Sequence, residues 1–153
     1  MAVKSFQGPQ KGGAKKTFKP TLVKECMTTK LITFKPEQPI SEVIEALINN
    51  RISGGPVVND QNELLGIISE GDCIKQVSNS KYHNLPLEDN TVEKCMVKNV
   101  DTIDGNLDIF EAAEMFLKAK HRRFPIVESG KLVGQISQKD ILIATLAHKS
   151  DNW

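Results

Sequence analysis

The chain contains an internal duplication. Residues 65–74 (LGIISEGDCI) and 133–142 (VGQISQKDIL) share the pattern Gly-x-x-Ser-x-x-Asp between apolar residues. Upstream, GGPVV at 54–58 corresponds to RFPIV at 123–127, and VKECM at 23–27 corresponds to VEKCM at 92–96. The spacing is 69 residues at both upstream landmarks and 68 at the two aspartates, so one loop is a residue shorter. A period of this length exceeds that of solenoid units and predicts two copies of a small α/β unit packed as a pseudo-symmetric pair.

Composition sets few further limits. The 153 residues are 39% hydrophobic and 25% charged, as in ordinary globular proteins, and can form one domain or two half-domains sharing a core. A net charge of +1 gives no global electrostatic case for binding nucleic acid or membrane. No apolar run is long enough to cross a bilayer and no secretory signal follows Met1, so we expect a cytoplasmic protein. Three cysteines, without a Cys-x-x-Cys pair or a nearby histidine cluster, are expected to pack as small apolar residues.

Four segments follow from this pattern. Residues 1–20 form a basic tail with five lysines and no acid, which we expect to be flexible. Such a tail could contact nucleic acid, although a solvated extension is the favoured interpretation. The first repeat covers residues 21–79, a linker covers 80–90, and the second repeat covers 91–149.

Each repeat is predicted to contain strand, helix, strand, strand and helix. In the first repeat, the apolar spacing predicts strands at 31–34, 56–58 and 64–68, a helix capped by Ser41, and a helix opened by Ser69. In the second repeat, it predicts strands at 100–103, 124–127 and 132–136, and helices at 107–120 and 137–147. The fold class is therefore α/β (α+β), with two β-α-β-β-α units forming one two-lobed module.

This order, with Gly-x-x-Ser-x-x-Asp at the third strand–helix junction of both halves, resembles a tandem pair of CBS domains, named after cystathionine β-synthase. Such a pair is also called a Bateman module, and the resemblance covers residues 21–147. It implies a regulatory module that binds an adenosine-containing ligand in clefts between the repeats. The implied ligands are AMP, ADP or ATP, with S-adenosylmethionine or NAD as further possibilities. It also implies a homodimer, for which we expect the apolar helix faces to supply the interface, including some of Val43, Leu47, Ala112 and Phe116.

The repeated Ser/Asp pairs, Ser69 with Asp72 and Ser137 with Asp140, have two interpretations. A serine before a helix with an acid three residues later is a capping box, which needs no ligand. The same helix start offers N–H groups and a partial positive charge that suit phosphate. The resemblance implies that each aspartate binds ribose and that each serine lies near phosphate.

Two further elements complete the predicted nucleotide site. Glycines before the second strand permit close backbone approach, and arginines at the same place in the other repeat can pair with phosphate oxygens. The alternative for the arginines is a solvated basic corner. Phe124 is interpreted as a core residue and not as a stacking surface for a base. The alternative for the two threonines is an ordinary place in a strand. These elements contribute Thr33, Gly54, Gly55, Pro56, Thr102, Arg122, Arg123, Phe124 and Pro125.

No catalytic constellation is recognisable. The three histidines lie at no metal-binding or triad spacing, and Walker and Rossmann glycine patterns are absent. We therefore expect no catalytic residue, no metal site and no required cofactor. The expected function is a sensor that acts on an unknown effector protein in trans. Two alternatives remain: a structural or dimerisation module with empty clefts, and a nucleic-acid-associated protein that uses its basic tail.

Overall fold

The computed structural model describes residues 20–83 and 86–151, so the predicted tail lies outside the described residues except for Pro20. No helix in these ranges is long and apolar enough to cross a bilayer. The first repeat contains α1 (Val23–Cys26), α2 (Ile40–Asn50), β1 (Gly54–Val58), β2 (Leu64–Ser69) and α3 (Glu70–His83). The second contains α4 (Val92–Cys95), α5 (Ile109–Ala119), β3 (Arg123–Glu128), β4 (Lys131–Ser137) and α6 (Gln138–Asp151). One 3₁₀ turn (Leu87–Asp89) precedes α4, and residues 80–83 of the expected linker are still helical.

Each repeat forms its own two-stranded antiparallel sheet, so the fold class read from the sequence is confirmed. Gly54 pairs with Ser69 in the first sheet, and Arg123 pairs with Ser137 in the second. Both hairpin turns use left-handed residues, namely Asn62 in the first and Ser129 with Gly130 in the second. The start of β1 therefore lies beside the end of β2, and the start of β3 lies beside the end of β4.

The first strand predicted in each repeat is wrong. Phe34 and Ile103 each form one isolated parallel bridge, to Val57 and Ile126, and neither segment continues as a strand. The Phe34 N–H donates to the Pro56 carbonyl (3.0 Å), and the Ile103 N–H donates to the Pro125 carbonyl (3.1 Å). These segments lie against a sheet edge for a single residue pair before the chain turns toward the next helix.

The long helices follow the predicted periodicity, with one error at a cap. Helix α2 begins at Ile40 after Pro39 and has no side-chain cap, so the expected capping role of Ser41 is wrong. Helix α5 is capped by Asp108, whose Oδ1 accepts from the N–H groups of Phe110 (2.9 Å) and Glu111 (2.8 Å).

The short helices exchange between the lobes. Val23 of α1 is fully buried with Ile109, Phe116 and other residues of the second repeat. We call the core that these residues form the second lobe. Val92 of α4 is fully buried with Phe34, Ile40 and other residues of the first repeat, which form the first lobe.

The first glycine of each Gly-x-x-Ser-x-x-Asp motif makes this exchange possible. A Cβ on Gly66 would lie 2.7 Å from the Met96 sulfur, and one on Gly134 would lie 2.5 Å from the Met27 sulfur. Real Cβ atoms do not approach other atoms this closely, so the two glycines admit the crossing segments. The repeated Cys-Met and Gly landmarks of the sequence are therefore contacts between halves.

The residues that were expected at a dimer interface lie inside the protein chain. Val43, Leu47, Ala112 and Phe116 are buried in the two cores of the chain itself, so that expectation is wrong for all four residues. The helices instead expose a different set of large apolar side chains, which includes Ile48 (70% exposed), Ile74 (67%), Leu117 (81%) and Leu142 (68%).

Candidate functional site

A cavity of about 210 Å³ lies where β1 and β3 begin and where β2 and β4 end, and we call it the central cavity. Both repeats contribute to its walls. The lining residues are Ser53, Gly54, Gly55, Ile67, Ser69, His121, Arg122, Arg123 and Gln135. Five of the predicted site residues therefore meet in one place: Gly54, Gly55, Ser69, Arg122 and Arg123.

The positive charge of the central cavity comes from the second repeat. Arg123 is half-buried and reaches across to the first repeat, where its Nη2 donates to the Ser53 hydroxyl at 2.9 Å. Arg122 is exposed beside it. His121 is held by Asp101, with 2.8 Å between Nε2 and Oδ2. No acidic side chain lines the cavity, so its chemistry favours an anion.

The two Ser/Asp pairs share two hydrogen bonds to the carboxylate. In the first repeat, Asp72 Oδ2 accepts from the Ser69 N–H (2.9 Å) and from the Ser69 hydroxyl (3.0 Å). In the second, Asp140 Oδ2 accepts from the Ser137 N–H (2.8 Å) and hydroxyl (3.0 Å). The Asp140 N–H also donates to the Ser137 hydroxyl (3.2 Å), which completes the reciprocal capping arrangement in the second repeat, whereas in the first repeat the carboxylate side of that arrangement is the part observed. Oδ1 of each carboxylate has no hydrogen bond within the described part of the chain, so it remains able to accept from a ligand.

Near Gly55, the two repeats place an aromatic ring at different sequence positions. A Cβ on Gly55 would lie 2.8 Å from the Ile32 carbonyl oxygen and 2.9 Å from the Phe34 ring. At the equivalent places, the second repeat has Phe124 for Gly55 and Ile103 for Phe34. At this contact each lobe thus buries one phenylalanine ring, Phe34 from the segment before α2 in the first lobe and Phe124 from β3 in the second. Phe124 is fully buried against Phe116, with ring centroids 4.7 Å apart, as expected of a core residue.

The remaining predicted residues lie outside the lining of the central cavity. Pro56 and Pro125 are buried in their strands, and Thr33 is half-buried in the segment that bridges to β1. Thr102 is exposed and lines a separate cavity of about 310 Å³ with Lys98 and Val100. This set comprises Thr33, Pro56, Asp72, Thr102, Phe124, Pro125, Ser137 and Asp140.

Four lining residues were not predicted from the sequence: Ser53, Ile67, His121 and Gln135. Strand alternation could have indicated two of them, because Ile67 and Gln135 lie two residues before Ser69 and Ser137 and share their face. Ser53 and His121 are the first residues of the two segments before Pro56 and Pro125 that the sequence pointed to, but neither was assigned to the site.

The three cysteine thiols, none of which lines the central cavity, have raised pKa values. Burial, reinforced by the nearby Asp72 carboxylate, raises the pKa of Cys73 to about 11. Burial and Asp140 likewise raise the pKa of Cys26, and burial and Asp72 raise that of Cys95. All three thiols therefore stay protonated at neutral pH and are poor nucleophiles. Within the described ranges, no three His, Cys, Asp or Glu side chains converge to hold a metal ion.

Comparison with known proteins identifies the architecture. The family model of the CBS domain matches residues 23–79 and 92–147. The chain belongs to the CBS domain family. It carries two CBS domains in tandem, as the sequence resemblance implied.

Relatives of this CBS pair include proteins solved with ligands. The chain is 32% identical to an uncharacterized 17.7 kDa protein of Acidianus ambivalens, over 82% of this chain and 74% of that protein. It resembles the structure of CBSX2 from Arabidopsis thaliana in complex with AMP, with a TM-score of 0.74, 26% identity, and coverage of 84% of this chain and 98% of that one. It also resembles the CBS pair of MJ0100 in complex with 5′-methylthioadenosine and S-adenosyl-L-methionine, with a TM-score of 0.70, 26% identity and the same two coverages.

Proposed function

We propose that this CBS pair is a regulatory module that binds an adenosine nucleotide between its repeats and transmits the occupancy to a partner protein. The observation that carries the proposal is the central cavity, which both repeats build and whose described lining includes two arginines and no acidic residue. The ligands of CBSX2 and MJ0100 support an adenosine-containing compound, since AMP, 5′-methylthioadenosine and S-adenosyl-L-methionine all contain adenosine.

The aspartates supply the nucleoside end of the proposed site. A carboxylate oxygen has two lone pairs, so Oδ1 of Asp72 or Asp140 can accept from both hydroxyls of a ribose. The arginines supply the phosphate end, because a guanidinium pairs with two phosphate oxygens at once. We assign these groups to binding and the effect of the module to population shift in a partner.

A thermal-shift screen tests the proposal. AMP, ADP, ATP, S-adenosylmethionine and NAD are each added to the full chain and to the Asp72→Ala/Asp140→Ala variant. A ligand at 100 times its dissociation constant adds about 2.7 kcal/mol of stability, or roughly 5–10 °C in Tm for a chain of this size.

We expect at least one nucleotide to raise the Tm of the wild type, with a smaller rise for the variant. Silence with every compound would instead favour a structural module. Salt-sensitive oligonucleotide binding that is lost on deleting residues 1–20 would favour a nucleic-acid function for the tail.

The exposed helix residues support a homodimer. Ile48 and Leu117 are related by the repeat, as are Ile74 and Leu142, so both lobes present the same apolar positions to solvent. Repeated exposed apolar surface is typical of a protein interface. Sedimentation of the wild type should show a dimer, and the Ile48→Asp/Leu117→Asp variant should sediment as a folded monomer. A wild type that stays monomeric at high micromolar concentration would contradict this assembly.

A further inference from the structure

The short helix α1 is held on the second lobe by one buried side chain and by backbone hydrogen bonds. Val23 is fully buried, and its N–H donates to the Leu107 carbonyl at 2.8 Å. The Lys24 N–H donates to the Gly105 carbonyl at 3.0 Å. We call residues 21–28, which contain α1 and its flanking residues, the strap. Although the strap precedes the first repeat's core in sequence, the second lobe is what binds it.

The strap contacts the candidate site at two points. The Thr28 N–H donates to the Gln135 carbonyl (2.8 Å), and the Gln135 N–H donates back to the Thr28 carbonyl (3.0 Å). Gln135 is a lining residue of the central cavity. Cys26 lies near Asp140, since burial and then the Asp140 carboxylate raise the pKa of the Cys26 thiol. The strap is therefore joined both to a wall of the cavity and to the surroundings of an aspartate assigned to ribose.

The equivalent segment around α4 is held more firmly. Val97 and Ile67 donate their N–H groups to each other's carbonyls at 2.9 Å, which repeats the contact of the strap with β4. In addition, the 3₁₀ turn Leu87–Asp89 precedes α4 and contacts both α2 and α3. Within the described ranges, no such element precedes α1. The strap is therefore the one of the two crossing segments that has fewer anchors to break when it opens locally.

We propose that the strap is a detachable element whose docking assembles the nucleoside position at Asp140, so that adenosine and the docked strap stabilise each other. This inference rests on the proposed function. Undocking takes Thr28 away from both backbone groups of Gln135 and removes Cys26 from the side of Asp140. A ligand that binds only the assembled position shifts the strap toward the docked state. By linkage, docking of the strap strengthens the ligand by the same factor.

Amide hydrogen exchange on the full chain, with and without adenosine, tests the coupling. The compared amides donate across equivalent contacts of the strap (Val23, Lys24 and Thr28) and of the α4 segment (Val92, Glu93 and Val97). Without adenosine, we expect the strap amides to exchange faster, because the strap opens locally. Adenosine at 100 times its dissociation constant should slow them toward a limit of about 100-fold, which is reached if the undocked form does not bind it.

Two results would overturn the inference and leave the proposed function intact. One is strap amides that exchange no faster than those of the α4 segment. The other is strap exchange that adenosine leaves unchanged although calorimetry shows that adenosine binds. Absence of adenosine binding would also remove the inference, and the proposed function falls with it only if all five compounds of the thermal-shift screen are silent.

Substitutions in the strap test the reciprocal effect. Val23→Asp places a charge at a fully buried position and should keep the strap undocked. Adenosine should then bind about tenfold or more weakly, because affinity falls with the docked fraction. Thr29→Asp adds the same charge at an exposed residue just beyond the strap and should leave affinity within about twofold. Full adenosine affinity in a Val23→Asp variant whose strap amides exchange freely would refute the coupling.

A milder substitution keeps the test valid if Val23→Asp unfolds the second lobe. Val23→Ala removes two buried methyl groups from the docked state and should speed exchange of the Lys24 and Thr28 amides about tenfold. The strap stays mostly docked, so adenosine affinity should remain near that of the wild type. Adenosine should slow the faster exchange by the same factor as in the wild type. If adenosine did not slow it, the strap would be independent of the site and the inference would fail.

Discussion

Replacing both Asp72 and Asp140 by asparagine should separate the two roles of these carboxylates. In each repeat Oδ2 accepts from the serine N–H and hydroxyl at 2.8–3.0 Å, and Oδ1 is left for a ligand. Asparagine keeps one carbonyl oxygen for the serine and removes the negative charge. Alanine removes the oxygen as well, so the two substitutions differ in the cap but share the loss of charge.

The magnitudes follow from that difference. Losing a cap costs about 1 kcal/mol, and losing a charge at a helix start costs about 0.5 kcal/mol. The double alanine variant should therefore lose about 3 kcal/mol, or roughly 6–12 °C in Tm, and the double asparagine variant about 1 kcal/mol, or roughly 2–4 °C. A hydrogen bond to a charged group exceeds a neutral one by about 1 kcal/mol, so two ribose bonds per site make adenosine bind roughly 30-fold more weakly to the asparagine variant.

Thermal unfolding and calorimetry with adenosine, performed on the same samples, measure both quantities. The expected pattern is near-wild-type stability with weakened adenosine in the asparagine variant. Unchanged adenosine affinity in that variant would refute the ribose assignment. Equal destabilisation by asparagine and alanine would refute the capping geometry as the source of stability.

Three further predictions concern the fold. Val23→Ala should cost about 2 kcal/mol and shift isoleucine methyl resonances of the second lobe, whereas Val92→Ala should shift those of the first lobe; shifts in the opposite lobe would contradict the exchange of short helices. Gly55→Ala should lower the Tm by roughly 2–8 °C because its methyl group collides with the segment before α2, whereas Gly71→Ala, with open space in a helix, should leave it unchanged or raise it. Cys73 has a raised pKa of about 11 against an ordinary 9.0, so its contribution to the free energy of unfolding is complete below pH 9 and is lost as the pH rises toward 11; chemical denaturation across this range should show that decline, and a Cys73→Ala variant should show less of it.

Periodicity predicted the hairpins and long helices because their apolar residues recur at the spacing that burial requires. It failed for Phe34 and Ile103 because a single bridge and a strand place an apolar residue against a sheet in the same way. It also could not assign α1 and α4 to a lobe. The two segments carry valine, cysteine and methionine at equivalent positions, so each fits either lobe by pattern alone.

Site residues could be predicted from the sequence where the residue type itself suits nucleotide binding. They were harder to predict where the position in the fold determines whether the residue lines the cavity. The arginines, glycines and Ser/Asp pairs stand out by type and by repetition. Thr102 also repeats, yet the chain turns it toward a different cavity. Ser53 has no distinguishing pattern and gains its importance only from the Arg123 guanidinium that reaches it from the second repeat.

The exchange of short helices means that neither repeat is an independent folding unit. A fragment ending at residue 83 would retain α1 without the lobe that buries it, and the first lobe without Val92 in its core. Two copies of such a fragment could complete each other by placing α1 of one where α4 lies in the other. The intact chain is thus equivalent to a reciprocally swapped dimer of half-chains that the linker has made permanent. Cutting that linker should leave two pieces that remain associated, because each holds part of the other's core.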